Sequence, residues 1–189
     1  MTAAVLAVQG AFAEHIAMLN KIGVDCIELR KKSDLEKKFD GIVLPGGEST
    51  VQGKLLKELD MFDIIRNKIV GGIPTLATCA GLILLAENIV NDEAVYFKTM
   101  PVTVRRNAYG RQTGSFFTCG MFAGLCGTFP MNFIRAPYIE SVGSGAEVLA
   151  EVDGNIVAAM YKNQIAMSFH PELSDDTRIH EMFAEMMKA

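Results

Sequence analysis

Short apolar runs alternate with helix-like runs through the first half of the chain, and this alternation most constrains the fold. The apolar runs predict four buried strands, in the segments AAVLAVQG, DCIEL, GIVLPGG and IPTLATC. Apolar residues recur three and four positions apart between them, first at Phe12, Ile16, Leu19 and Ile22 and later within LLKELDMFDIIRNKIV and AGLILLAEN. That spacing predicts helices. Strands that alternate with helices indicate a parallel sheet covered on both faces.

The second half of the chain is richer in strands than the first. Five closely spaced segments are strand-like: MPVTVRR, NFIRAPYIESV, EVLAEVD, NIVAAMYK and QIAMSFHPE. Asp153-Gly154 is a strong hairpin signal and Lys162-Asn163 a weaker one, so this half is expected to be partly antiparallel. The tail DDTRIHEMFAEMMKA is predicted to be a helix capped by Ser174 or Asp175.

Composition limits the class of protein. The 189 residues suit one domain, 1–189, and half of them are hydrophobic. The net charge of -4 argues against a nucleic-acid surface. The four cysteines form no C-x-x-C pair, so reduced thiols are expected. We find neither a signal-peptide pattern nor an apolar run of membrane-spanning length, and we expect a soluble cytoplasmic protein.

Cys79 lies where a predicted strand turns into a predicted helix, within PTLATCAGLILLA. A tight strand-to-helix turn exposes its turn residue above the sheet, and the small neighbours Ala80 and Gly81 permit such a turn. Unpaired N–H groups at the helix start favour a thiolate, and that of Ala80 would face an oxyanion beside it. Cys79 is therefore a candidate nucleophile, with a packed, inert cysteine as the alternative.

His170 and Glu172 are the candidate base and its partner, in the segment SFHPE. Residues two apart in an extended segment face the same side, so the two side chains are expected to point together. A carboxylate beside an imidazole fixes the tautomer and stabilises the imidazolium, which a cysteine nucleophile requires of its base. The alternative is an edge strand that ends in a polar tip.

The glycine loop LPGGEST follows a buried strand, where α/β sheets bind ligands. Glu48 in this loop suits a cationic or amino-bearing ligand, although Ser49 or Thr50 could instead simply cap the next helix. Arg105, Arg106 and Arg135 are candidates for holding a substrate carboxylate, with solvation at the surface as the alternative.

Five further polar or sulfur-bearing residues are assigned no chemistry. We interpret His15 and His180, which lie on helical stretches, as surface polar groups. Cys26, Cys119 and Cys126 are interpreted as packing residues.

These motifs together resemble the class I (triad) glutamine amidotransferases. Within that group the chain is similar to the glutaminase subunits of pyridoxal 5'-phosphate synthase, the enzyme of vitamin B6 biosynthesis. The motifs that carry the resemblance extend over nearly the whole chain: AVQGAFAEH, LPGGEST, TCAGLILLA, RNAYGRQ, FIRAPYI and SFHPEL. The resemblance implies a flavodoxin-like three-layer α/β sandwich, with a mostly parallel central sheet and an antiparallel extension from the second half.

The resemblance also implies a role for each matching residue. Cys79 would attack the side-chain amide of L-glutamine, His170 would serve as general base and then acid, and Glu172 would orient it. The glycine loop, with Gly46, Gly47, Glu48 and Ser49, would hold the substrate together with Arg106, Ile134 and Arg135. Gly47 and Ala80 would form the oxyanion hole.

The same resemblance implies no metal and no cofactor for the glutaminase step. Ammonia would pass to a (β/α)8-barrel synthase subunit, in an assembly of twelve synthase and twelve glutaminase subunits. The first helix after AVQG is our expectation for the docking surface, because it borders the glycine loop.

The chain departs from the expected family pattern at Arg105, where an acidic residue is usual, at Ser174, where threonine is usual, and in the segment around Cys119 and Cys126. Two enzymatic alternatives stay open: a glutaminase that serves a different synthase, and a DJ-1-like cysteine enzyme or sensor. A regulatory module that kept the fold and lost the chemistry is a third.

Overall fold

The computed structural model describes residues 1–106 and 114–188. Its strands are β1 (Thr2–Leu6), β2 (Asp25–Leu29), β3 (Gly41–Leu44), β4 (Thr75–Thr78), β5 (Ala86–Ile89), β6 (Met100–Arg105), β7 (Ser115–Met121), β8 (Thr128–Ile134), β9 (Tyr138–Val142), β10 (Glu147–Val152), β11 (Asn155–Tyr161) and β12 (Gln164–Met167). Its α-helices are α1 (Phe12–Lys21), α2 (Ser49–Glu58), α3 (Phe62–Val70), α4 (Ala80–Leu85) and α5 (Arg178–Met186). Short 3-10 helices span Lys32–Glu36 and Pro171–Leu173.

One large sheet joins strands from both halves of the chain, in the order β2-β1-β3-β4-β12-β11-β9-β6-β5, with β10 paired to β11. The first five strands of this order are parallel, which is the flavodoxin-like arrangement. Strands β12, β11, β9 and β6 pair antiparallel to one another. The predicted fold class, a mostly parallel central sheet with an antiparallel second-half extension, is confirmed.

Both faces of the sheet are covered because its inner strands are apolar on both sides. Ala4 and Leu6 of β1 pack in one core with helices α2, α3 and α4. Ala3 and Val5 of the same strand pack in a second core with α1, α5 and a group of phenylalanines. Successive strand residues point to opposite faces, so one strand contributes to two cores.

The structure differs from the prediction at two helix boundaries. The single helix predicted for LLKELDMFDIIRNKIV is two helices, α2 and α3, separated by Asp60 in a positive-φ conformation (φ 54°). The helix predicted for AGLILLAEN ends at Leu85, and Ala86 begins β5. Apolar spacing alone cannot detect either break, because the buried residues continue on both sides of it.

The segment around Cys119 and Cys126 forms an additional antiparallel hairpin, β7–β8, that the sequence analysis did not predict. Its inner residues Phe129 and Phe133 join the second core, whereas Phe117 and Met121 are exposed. Cys119 and Cys126 are exposed too, so their interpretation as packing residues is wrong. Cys26 is half-buried and packs against the second core.

Two further local predictions can be compared with the structure. Asp153 and Gly154 have φ 50° and 77° and join β10 to β11, so the predicted hairpin is confirmed. The last helix begins after Thr177 rather than after Ser174 or Asp175. Within the described residues, none of the helices is long and apolar enough to cross a membrane.

Gly81→Ala should reduce stability, because a Cβ at this position would lie 2.1 Å from the backbone oxygen of Leu44. We expect the free energy of unfolding to fall by about 1–3 kcal/mol in urea titrations, the usual cost of overpacking. Gly120→Ala is the matched control, because its Cβ would approach the end of the flexible Met131 side chain at 3.3 Å and would otherwise make only an ordinary contact with Val152, at 3.8 Å. Equal stability of the two variants would contradict this account of the helix–strand contact.

Candidate active site

Cys79 occupies a sharp turn between β4 and α4. Its backbone has φ 47° and ψ -97°, a conformation that non-glycine residues seldom adopt and that costs of order 1–3 kcal/mol. The Cys79 N–H donates to the carbonyl of Met167 at 2.8 Å, which ties the turn to the end of β12. Gly81 permits the close approach of α4 to β3. The predicted strand-to-helix elbow is therefore present at this cysteine.

His170 and Glu172 lie beside this turn because β12 pairs in parallel with β4. The strand ends at Met167, and Glu172 lies in the 3-10 helix Pro171–Leu173, so the expected extended geometry is wrong. The side chains nevertheless meet, with His170 Nδ1 2.7 Å from Glu172 Oε1. The backbone N–H of His170 also donates to the carbonyl of Asn132 at 2.8 Å, which links the backbone at this residue to β8.

The charge state of His170 reflects a balance between burial and hydrogen bonding. Burial lowers its pKa, but hydrogen bonds with the Cys79 thiol and the Glu172 carboxylate outweigh that effect and raise the pKa to about 10. The imidazolium is therefore the main form at neutral pH. A cationic imidazole in contact with a cysteine stabilises the thiolate, so the arrangement suits a nucleophilic cysteine.

The glycine loop is held against this group of side chains. A Cβ on Gly46 would lie 2.3 Å from His170 Cε1, so the ring and the loop are in direct contact. The Gly46 N–H donates to Thr78 Oγ1 at 3.0 Å, and the Glu48 N–H donates to Gln9 Oε1 at 2.9 Å. The buried Gln52 adds bonds from Nε2 to the carbonyl oxygens of Gln9 and Pro45, at 3.0 and 3.2 Å.

A cavity of about 390 Å³ opens above Cys79 and contains most of the predicted site residues. Its lining includes Gly46, Gly47, Glu48, Ser49, Cys79, Arg106, Ile134, Arg135 and His170. Glu172 lies behind His170 rather than in the lining, and Ala80 is buried as the first residue of α4. The structure therefore brings the predicted residues to one place.

Arg106 and Arg135 both line the cavity, and each contacts an acidic side chain. Arg106 donates to Asp92 Oδ2 at 2.9 Å and to Thr50 Oγ1 at 3.1 Å. Arg135 has a positive φ of 43°, and its Nη2 lies 3.6 Å from Glu48 Oε1. Apart from Arg106, the motif RNAYGRQ lies outside the described residues. Arg105 pairs with Glu140 at 2.9 Å rather than with the cavity.

The interpretation of His15 and His180 as surface groups is wrong, because both are fully buried. His15 Nε2 lies 3.3 Å from Glu172 Oε2 and 3.2 Å from Thr78 Oγ1, and its Nδ1 lies 3.0 Å from His180 Nε2. The helical spacing contained the signal. His15 lies three residues after Phe12 and four before Leu19, on the face that packs against the sheet.

Other residues around the site also escaped the sequence analysis. Gln9 and Gln52 hold the glycine loop, and only the AVQG motif pointed toward the first of them.

Across residues 1–106 and 114–188, no group of three or more histidine, cysteine, aspartate and glutamate side chains could hold a metal ion.

The His170 pKa should respond to the carboxylate beside it. NMR titration of the wild-type ring is expected to give a pKa of about 10. In Glu172→Gln a neutral amide replaces the anion that favours the imidazolium, so the pKa should fall. A pKa that stays unchanged in this variant would exclude the carboxylate as a cause of the elevation.

Comparisons with known proteins agree with this geometry. Residues 5–189 match the model of the SNO glutamine amidotransferase family. The chain is 63% identical to the pyridoxal 5'-phosphate synthase subunit PdxT of Desulfitobacterium hafniense (strain Y51), over 98% of this chain and 92% of that protein. It is 50% identical to the protein of the same name from Streptococcus pneumoniae (strain ATCC 700669 / Spain 23F-1), over 100% and 98%.

A solved structure, described as a glutamine amidotransferase, has the same fold. It superposes with a TM-score of 0.93 at 40% identity and covers 99% of both chains. With this match, the family model and the two relatives in agreement, the chain belongs to the SNO glutamine amidotransferase family.

Proposed function

We propose that this chain is the glutaminase subunit of a pyridoxal 5'-phosphate synthase, acting through the triad Cys79–His170–Glu172. It hydrolyses L-glutamine to L-glutamate and ammonia for vitamin B6 biosynthesis. The observation that carries the proposal is the buried imidazole of His170, which lines the cavity beside the strained Cys79 and contacts both that cysteine and the carboxylate behind the ring. We also propose that residues 1–189 form one glutaminase domain, since the main sheet takes strands from both halves of the chain.

The first half of the reaction forms a thioester. The Cys79 thiolate attacks the side-chain carbonyl carbon of glutamine, and the carbonyl electrons move to oxygen to give a tetrahedral oxyanion. The oxyanion collapses as the carbon–nitrogen bond breaks, and the His170 imidazolium gives its proton to the leaving nitrogen. Ammonia departs, and a γ-glutamyl thioester stays on Cys79.

The second half of the reaction releases glutamate. Neutral His170 takes a proton from water, and the resulting hydroxide attacks the thioester carbon. The carbon–sulfur bond then breaks, which restores the thiolate beside an imidazolium. Glu172 stabilises the cationic ring in both halves of the reaction, because its Oε1 accepts a hydrogen bond from His170 Nδ1 at 2.7 Å.

The oxyanion is assigned to the N–H groups of Ala80 and Gly47. Ala80 is the first residue of α4, and the first N–H groups of a helix have no acceptor within the helix. Gly47 lies at the cavity wall against Gln9, where a Cβ would be 2.4 Å from Gln9 Oε1. Because Gln9 contacts the glycine loop, it helps to set the position of the Gly47 N–H in the proposed oxyanion site.

The charged ends of glutamine are assigned to the cavity rim. Glu48 offers a carboxylate to the α-amino group, and Arg106 and Arg135 offer guanidinium groups to the α-carboxylate. Gly46, Ser49 and Ile134 complete the proposed substrate contacts as lining residues. The 3.6 Å Glu48–Arg135 contact would open when the substrate enters between them.

Ammonia from this site would be used by a synthase subunit, as the names of the relatives imply. We propose a (β/α)8-barrel partner in an assembly of twelve subunits of each kind, and a cytoplasmic location. The proposed docking element is α1, which begins at Phe12 directly after the cavity residues Gln9, Gly10 and Ala11. A partner docked on α1 would therefore lie next to the part of the cavity wall where Gln9 holds the glycine loop.

Cys79→Ala tests the nucleophile. We expect glutamate release to fall by roughly 10⁴-fold or more, because no other group can form the thioester. The assay measures glutamate from L-glutamine, with the chain alone and mixed with the synthase subunit. The variant should still fold and bind the synthase. Unchanged release by the variant would exclude Cys79 as nucleophile, and no release by the folded, reduced wild type in either mixture would remove the glutaminase proposal.

Glu48→Gln tests the amino-group contact. The neutral amide cannot form an ion pair with the substrate ammonium, so KM for glutamine should rise by roughly 10-fold or more with a smaller change in kcat. Lys54→Gln is the matched control, since Lys54 is exposed and pairs with Glu58 on α2, away from the cavity lining. A loss confined to kcat would instead place Glu48 in the chemical step.

A further inference from the structure

All three histidines of the chain belong to one buried row of side chains that begins at the nucleophile. The row runs from Cys79 to His170, Glu172, His15 and His180. The last two members take no part in the proposed triad chemistry, yet both have zero exposed surface. Burying two imidazoles carries a desolvation cost, which the contact of His15 with Glu172 and the contact of His180 with His15 must offset.

The proton positions along this row follow from the contacts. Glu172 Oε2 lies 3.3 Å from His15 Nε2, at ion-pair distance but without hydrogen-bond geometry, and this buried oxygen accepts no hydrogen bond from the described residues. A lone pair on His15 Nε2 would face a buried carboxylate oxygen and repel it. Nε2 must therefore carry the proton, which places it between Glu172 and Thr78 Oγ1, 3.2 Å away.

The second imidazole completes the same assignment. With Nε2 of His15 protonated, its Nδ1 is an acceptor, so His180 Nε2 donates to it across 3.0 Å. His180 Nδ1 then holds only a lone pair. This agrees with the absence of any hydrogen-bond partner for that nitrogen in the described part of the chain. The opposite direction would leave a buried N–H without an acceptor, which costs more than an unused lone pair.

We infer that His15, oriented by His180, is a positioning residue that holds Glu172 in place because its Nε2–H lies 3.3 Å from the second carboxylate oxygen and attracts it. This inference rests on the proposed function and extends it, because each oxygen of Glu172 would then lie close to an imidazole N–H. His15 also meets the hydroxyl of Thr78, the residue before the nucleophile, and that hydroxyl accepts the Gly46 N–H. One imidazole thus contacts both the carboxylate and the support of the glycine loop.

The charges around this row favour neutral outer imidazoles and an ionised carboxylate. Burial lowers the pKa of His15, against the opposing charges of Glu172 and of Glu14 on its own helix, and the charge of His170 lowers it further. Burial and the neighbouring His15 lower the pKa of His180 to about 3. Burial raises the pKa of Glu172, but His15 and His170 outweigh that effect and hold it below its usual range.

The first test compares variants of His15. His15→Leu removes the donor, so kcat for glutamate release in the presence of the synthase subunit should fall by roughly 10–100-fold, with little change in KM. The acid limb of the kcat/KM pH profile should move to higher pH, because Glu172 loses a group that favours its ionised form. His15→Gln keeps an N–H donor toward Glu172 and should restore much of kcat and the wild-type acid limb.

Met18→Ala is the structural control. Met18 is buried on the same helix, one turn from His15, and its loss should weaken packing without moving the acid limb. If Met18→Ala and His15→Leu give the same pH profile, or if His15→Gln behaves like His15→Leu, the positioning role is overturned. Absence of turnover in the wild type would instead count against the proposed function itself.

The second test reads the protons directly and does not depend on turnover or on the folding of any variant. Long-range ¹H–¹⁵N spectra of the wild-type chain at neutral pH should show both His15 and His180 as Nε2–H tautomers. An Nδ1–H tautomer at His15 would place a lone pair against Glu172 and would overturn the inference.

Discussion

The parallel pairing of β4 with β12 determines the rest of the active site. It sets Met167 beside Thr78, so the two strands end together at one edge of the sheet. The chain leaves β4 through the strained turn at Cys79 and leaves β12 toward His170. Every later contact depends on this register, because a shift of one residue would send these side chains to the wrong face. The reacting groups are thus positioned by backbone pairing and not by a mobile loop.

A buried carboxylate is the second constraint. An ionised glutamate cannot stay away from water without partners, and Glu172 has a ring nitrogen near each oxygen. The same arrangement explains why the cavity lining contains one imidazole while two more lie behind it. His15 and His180 come from α1 and α5, which pack on the same face of the sheet. Helix α1 therefore contacts Glu172 through His15, and α5 contacts His15 through His180.

Sequence alone predicted the parallel half of the sheet and the proximity of Cys79, His170 and Glu172, because buried strands, glycine loops and the elbow have strong local signals. The sequence-based predictions failed where a feature depends on contacts with residues far away in the sequence. Asp60 breaks a helix whose apolar spacing continues, and β7–β8 forms a hairpin whose inner face is recognised only against the second core. His15 was misread because a lone polar residue on an apolar face reveals its purpose only when the partner, 165 residues away at His180, is known.

The position of β12 has a consequence for the order of events during synthesis. It is the last strand of the chain, yet it lies between β4 and β11 near the middle of the sheet. The ribosome delivers Cys79 long before the strand that precedes His170. Until that strand inserts, β4 has an open edge and the thiol has no base. The nascent chain is therefore unreactive toward amides for most of its translation, and the ability to release ammonia arises only with the closing of the sheet.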